Sequence, residues 1–352
     1  MSPQRPHVRR VADSGRTGPR EEARRIRRLR PAVERPRALD RPLGVTVEEE
    51  RTPSGPMRSA TVFLAGAECR FTCSFCDLWR HTTEGPTPAG ALPAQLDRAM
   101  EALGSETALV RQVKLYNASN FFDPRAVPDG DREAILERVE RFERVVVESH
   151  PRLLGTRAAW WARRLGARLE VAIGLETAHP GALARLGKGV EPADFDRAAR
   201  RLRELGVGLR CFVLVGVPHV EAGQQVEWTR RTVARAVALG ASMVSLIPVR
   251  GGNGELERLR GLGRWRPPTL ALLEDCLDAA LAELAAGLAV TGAEGAAAVV
   301  QADPWDLEPL TDCAACAGPR LERLRAINRG GAPLPRVACA ACPAPGVRGA
   351  AG

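Results

Sequence analysis

Between Thr61 and about Ala285, short apolar runs alternate six times with longer segments of helical period. That alternation restricts the fold more than any other feature of the chain. A strand followed by a crossover helix returns parallel to its predecessor and builds an α/β sheet. Strands are predicted over 60–65, 112–116, 144–147, 168–173, 208–215 and 242–249. Helices are predicted near 93–103, 131–142, 156–165, 192–205, 221–239 and 268–285, with Pro192 and Pro268 suited to helix starts. Six βα units fit an open doubly wound sheet or a barrel with part of its wall absent.

The flanks read differently. Residues 1–56 are rich in Arg, Pro and Gly and carry most of the net charge of +9, so the body is only weakly basic. This stretch reads as a disordered tail with one helical run, Arg20 to Arg30. After Thr291 the period fades, and 291–352 reads as a small Cys-rich module too short for its own core. The division is therefore 1–56, 57–290 and 291–352. No run reaches the roughly 18 apolar residues of a membrane span, and the Arg-rich start lacks the apolar stretch of a secretory signal. The expectation is a cytoplasmic protein that avoids membranes.

Seven of the nine cysteines fall in tight sets. Cys69, Cys73 and Cys76 form C-x3-C-x2-C in GAECRFTCSFCDLWRHT, directly after the first predicted strand. The carboxyl end of the sheet is where α/β folds place active sites. Three thiolates can hold three irons of a cubane and leave the fourth iron open for chemistry. The plainer alternative is a structural zinc loop, with His81 the nearest candidate for a fourth ligand.

The Cys motif, Phe75 just before its third Cys and the βα series resemble the radical S-adenosylmethionine (SAM) superfamily. The resemblance implies a partial (β/α)6 TIM-like barrel, a 4Fe-4S cluster on Cys69, Cys73 and Cys76, and SAM chelated by the open iron. One electron, from a donor such as a flavodoxin or ferredoxin, would cleave SAM to methionine and a 5'-deoxyadenosyl radical. Further matches lie at successive strand ends. YNASN brings Asn117, Ser119 and Asn120 to a position where the family has a Gly-Gly-Glu-like turn. VESHP and IGLET bring Glu148, His150 and Glu176 to the rim. Gly216 in FVLVGVP and Ile247 in SLIPV resemble the wall against the adenine, while Lys188 in LGKGV stands as a substrate contact. No residue is singled out as the site of hydrogen abstraction.

From about Met57 to Arg250 the wording resembles the radical SAM subunit of archaeosine synthase and, more loosely, the Elongator catalytic-subunit barrel. That resemblance implies modification of a tRNA or RNA base, with a partner subunit. Two other readings stand beside it: a maturase or biosynthetic enzyme acting on a peptide or small metabolite, and a non-enzymatic iron-sulfur or zinc scaffold. The pairs Cys313/Cys316 and Cys339/Cys342 have zinc-ribbon-like spacing and suit a zinc ion or an auxiliary iron-sulfur cluster.

Overall fold

In the computed structural model, residues 19–33, 35–36, 38–291 and 298–342 are described. Helix α1 (Pro19–Leu29) and strand β1 (Gly44–Thr52) lead into β2 (Gly55–Leu64), and two short strands, β3 (Gly66–Ala67) and β4 (Thr82–Thr83), bracket the first Cys set. The series continues α2 (Ala91–Leu103), β5 (Gln112–Asn117), α3 (Arg132–Val139), β6 (Arg144–Ser149), α4 (Thr156–Leu165), β7 (Leu169–Glu176) and α5 (Pro180–Leu183). Then come α6 (Pro192–Glu204), β8 (Gly208–Val215), α7 (Gln225–Ala238), β9 (Ala241–Pro248) and α8 (Glu255–Gly261). The last elements are α9 (Leu270–Thr291), β10 (Val299–Ala302) and α10 (Ala317–Gly330).

The main sheet has the order β1-β2-β5-β6-β7-β8-β9-β10. The strands β2 and β5 to β10 are parallel, and β1 joins antiparallel to β2. The two edges curl towards each other, since Gln301 Nε2 on β10 donates to Glu50 Oε1 on β1 at 3.2 Å. The result is a nearly closed barrel with helices outside.

Strand alternation sorts the side chains. Outward residues such as Val62, Val113, Leu115, Val147, Val171, Ile173, Val213 and Leu246 build the main core against the helices. Cys211 and Cys276, the two cysteines outside the clustered sets, are both fully buried in that core.

The barrel interior is lined by charge and amide. Arg210 donates from Nη1 and Nη2 to Glu50 at 2.7 and 3.0 Å, and from Nε to Glu170 at 2.6 Å. Lys114 pairs with Glu48 at 2.5 Å, and Gln112 donates to both Glu50 and Ser59. Burial alone would raise the Glu50 carboxyl, but Arg210 and Lys114 outweigh it and hold the group far below the ordinary carboxylate range.

Two boundaries move. The tail expected over 1–56 contributes α1 and β1, while residues 1–18 lie outside the described residues. In GVTVEEERT, Val45 and Val47 pack on the core, while Glu48 and Glu50 share the other face and enter the barrel. Read locally these acids look solvated; their partners lie on strands far away in sequence. At the other end, the loop-like module carries β10 on the sheet edge and α10 with Leu321, Leu324 and Ile327 in the main core. Dense Arg around those three residues hid their helical spacing. Among the described residues no helix is long and apolar enough to cross a membrane.

Candidate active site

The loop between β3 and β4 lies at the carboxyl end of β2, and segments from around the barrel brace it. From the β5 side, Arg70 makes a two-pronged ion pair with buried Asp123, at 2.6 and 2.7 Å. From the β7–α6 connection, Leu186 O accepts from Ser74 N at 2.7 Å. Gly187 approaches at φ +66°, where a Cβ would stand 2.6 Å from Thr72 O, so only glycine serves both the turn and the contact. From the β9–α8 connection, Asn253 Nδ2 donates to Ser74 O while its Oδ1 caps α8. The N-terminal segment adds Arg30 and Arg35, which grip Glu68 at 2.7 and 3.0 Å.

A small cavity lies inside this frame, lined by Cys69, Cys73, Cys76, Glu68, Phe71, Trp79, Ala118 and Arg30. Burial pushes all three thiols up, Cys76 to about 12. Backbone N–H groups of Phe71 and Leu78 donate to Cys69 and Cys76, and Asn120 Nδ2 donates to Cys69 Sγ at 3.1 Å. Donors already aimed at sulfur favour the thiolate that a metal requires.

Whether an iron-sulfur cubane and SAM suit these residues can be judged from two features. First, among the described residues a single set of thiols converges within 4.8 Å, and it is the C-terminal four. Cys69, Cys73 and Cys76 line one cavity without converging on one point, as ligands to three separate irons must. Second, buried polar atoms without partners among the described residues lie on the segments beside them: Ser74 Oγ, Asn117 Nδ2 and Ser119 Oγ. Such atoms are costly unless a ligand satisfies them. The residues fit both groups.

The strand-end residues divide into those already engaged and those left open. Asn120 is engaged twice, with Cys69 and, through Oδ1, with His150 N at 2.7 Å. Glu176 turns back at φ +65° and pairs with Lys188, whose Nζ also donates to Gly174 O at 2.7 Å. A Cβ on Gly174 would collide with both partners. Burial pulls Lys188 down, but Glu176 outweighs it and the ammonium is held charged. Lys188, read from sequence as a substrate contact, is thus buried beneath the Cys loop.

His150 is likewise internal. It stacks on Phe71 at 3.5 Å between centroids, accepts from Arg152 N and faces Lys188 O. Burial and Lys188 push it down to about 3, so it is a neutral spacer behind the loop. Gly216 packs under Pro268 with its carbonyl taken by Trp265, and Phe75 and Ile247 lie against the small core of Leu186, Val217, Val249, Leu256 and Trp265.

Glu148 remains open: among the described residues its carboxyl has no hydrogen-bond partner. Burial and repulsion from Glu176, against the pull of Lys188, push it up to about 8. A carboxyl raised in the folded state favours folding when protonated, and that advantage fades as pH rises from about 4.5 to about 8. In the metal-free protein, Glu148→Gln is therefore expected to raise the unfolding temperature at pH 8.5 and leave it unchanged at pH 4. Thermal melts across that range check this.

Sequence reasoning missed Arg30 altogether. Its guanidinium lies 4.7 Å over Trp79, lines the Cys cavity and keeps a buried Nε without a partner among the described residues. One signal was available: Ile26, at helical spacing from Leu29 in an otherwise charged helix, is buried and fastens α1 to the barrel.

Fold and site together define an α/β barrel with a three-thiol centre at the carboxyl end of its first parallel strand. Residues 65–231, just under half of the chain, match the family described as the Radical SAM superfamily. An uncharacterised protein of Methanocaldococcus jannaschii is 20% identical over 225 residues, covering 60% of this chain and 62% of the relative. The chain thus spans less than two thirds of the length of that curated relative. A radical SAM methyltransferase from Sphaerobacter thermophilus superposes with a TM-score of 0.48 at 16% identity, over 74% of this chain and 76% of the other. Elp3 of Methanocaldococcus infernus gives 0.48 at 14% identity, over 67% and 58%.

Proposed function

We propose that the protein is a radical SAM enzyme that carries a 4Fe-4S cluster on Cys69, Cys73 and Cys76 and acts on a base in tRNA or another RNA. The observation that carries the enzyme reading is the braced cavity in which three thiols meet unpartnered buried donors. When bound, the cluster supplies one electron, from a donor such as a ferredoxin or flavodoxin, that splits SAM and enables hydrogen abstraction. Asn117 and Ser119 offer polar atoms to the amino end of SAM, with Asn120 holding Cys69 in place. Glu148 offers its carboxyl group to the sulfonium or ribose, and Glu176 fixes Lys188 beneath them. Phe75, Gly216 and Ile247 form the apolar side towards the adenine.

The RNA reading rests on α1. Arg20, Arg24, Arg27 and Arg28 are exposed on the helix that leads into Arg30 at the cavity. Phosphate contacts by arginine dominate affinity for nucleic acid and weaken steeply with salt. Anaerobic protein reduced with dithionite in the presence of SAM is expected to release 5'-deoxyadenosine; a cluster-loaded chain that releases none removes the enzyme reading. Total tRNA is expected to bind with a salt-dependent affinity that Arg24→Gln/Arg27→Gln/Arg28→Gln lowers about tenfold or more. Absence of binding would favour a peptide or small metabolite as substrate.

A further inference from the structure

We propose that Cys313, Cys316, Cys339 and Cys342 hold one zinc ion in a closed tetrahedral site that clamps α10 across the seam between β1 and β10. The four sulfurs lie within 4.8 Å of one another. Cys313 and Cys339 are 3.9 Å apart, and Cys316 and Cys342 are 3.6 Å apart. Tetrahedral zinc with Zn–S bonds of about 2.3 Å sets its sulfurs about 3.8 Å apart. A cubane cluster gives each thiolate its own iron and spreads the sulfurs further, so the compact set favours a single ion.

The surroundings suit a thiolate-rich centre. Backbone N–H groups of Ala315 and Cys316 donate to Cys313 Sγ. Arg320 reaches Cys316 and is itself held by Glu274 at 2.7 Å, placing a fixed cation beside a centre that carries two excess negative charges. None of the four cysteines lines the cavity of Cys69, Cys73 and Cys76.

What the ion secures follows from α10. Cys316 stands at the N-cap position of its first turn, and the chain returns from Gly331 to bring Cys339 and Cys342 back to that end. Along the way Arg323 binds Leu334 O and Pro335 O at 2.7 and 3.0 Å, and Arg336 reaches Asp278 at 2.7 Å. The same helix grips the edge strand, because Asn328 accepts from Ala302 N at 2.9 Å and donates to Ala302 O at 2.7 Å. Its C-cap Gly331 lies against Arg51 of β1. A bond joining residues 26 apart closes this loop around the helix that spans the two sheet edges.

Elemental analysis of anaerobically purified full-length protein is expected to find about one zinc per chain. The zinc should persist in Cys73→Ala protein. Cys316→Ser/Cys342→Ser is expected to lose at least nine tenths of the zinc with iron unchanged, melt at lower temperature and open 331–342 to protease. Should that variant fail to fold, a mercurial thiol reagent on the wild-type chain should release about one zinc to a chromogenic chelator as the thiols react. Iron in place of zinc, two disulfides, or zinc retained after all four thiols are blocked would overturn the proposal.

Discussion

Cys73→Ala protein is expected to hold well under one iron per chain after anaerobic reconstitution, where the native chain holds about four. Release of 5'-deoxyadenosine should fall by about 10³-fold or more, because the electron has no route to SAM without the cluster. The fold should survive. Cys73 lies in a loop braced by Arg70–Asp123, Ser74–Leu186 and Asn253–Ser74, none of which uses its sulfur. Circular dichroism within error of native, beside iron analysis, separates loss of the ligand from loss of the barrel. Asn120→Ala provides the graded comparison: removing a donor behind a metal ligand typically costs about 10- to 100-fold in affinity or activity.

Arg210→Met produces the largest expected loss of stability. Arg210 is 1% exposed and bonds both oxygens of Glu50 as well as Glu170. Removing it strands buried carboxylates inside the barrel, which costs about 3–5 kcal/mol for a broken buried pair. A melting temperature lower by about 4–7 °C follows for a chain of this size. The triple variant Arg210→Met/Glu50→Gln/Glu170→Gln is expected to recover much of that loss, since the uncompensated charge leaves with its partner.

The two proteins should also respond oppositely to acid. In the native chain Glu50 titrates below its unfolded value, so its stabilisation is present above about pH 4.5 and disappears as pH falls further. In the Arg210→Met chain the same carboxyl keeps only the longer Lys114 contact, 3.4 Å, against its burial and is expected to be destabilising when ionised. Its stability should therefore rise as pH is lowered from 7 towards 5. Denaturant melts at several pH values distinguish the two slopes, and parallel slopes would refute this account of the interior.

Much of the architecture can be read from local pattern. The predicted strands at 112–116, 208–215 and 242–249 match β5, β8 and β9 within a residue or so at each end, and 144–147 and 168–173 need only two or three more residues at their ends. These strands are apolar runs with helical segments between them, so both faces of the pattern are legible. The grouping of Cys69, Cys73 and Cys76 around one cavity is legible for a similar reason, since it is set within a few adjacent residues. That Asn117, Ser119 and Glu148 lie at carboxyl ends of strands is legible because each follows or closes an apolar run.

What stayed hidden depends on partners distant in sequence. VTVEEERT reads as a polar stretch until Arg210, 160 residues away, meets Glu50 inside the barrel. Lys188 reads as a surface base until the bend at Glu176 brings a carboxylate beneath the Cys loop. His150 reads as a rim residue until Phe71 covers it. Arg30 belongs to the site only because Ile26 anchors α1 over the cavity.

The sequence by itself determined the βα order and the two sets of clustered cysteines, because strand period, helix period and ligand spacing are short-range properties. Tertiary structure alone decided that the interior is a paired charge network, that an N-terminal arginine completes the cavity, and that α10 spans the seam. Buried charge is tolerable only where a distant counter-ion arrives, and no local pattern records which two segments the closing barrel will bring together.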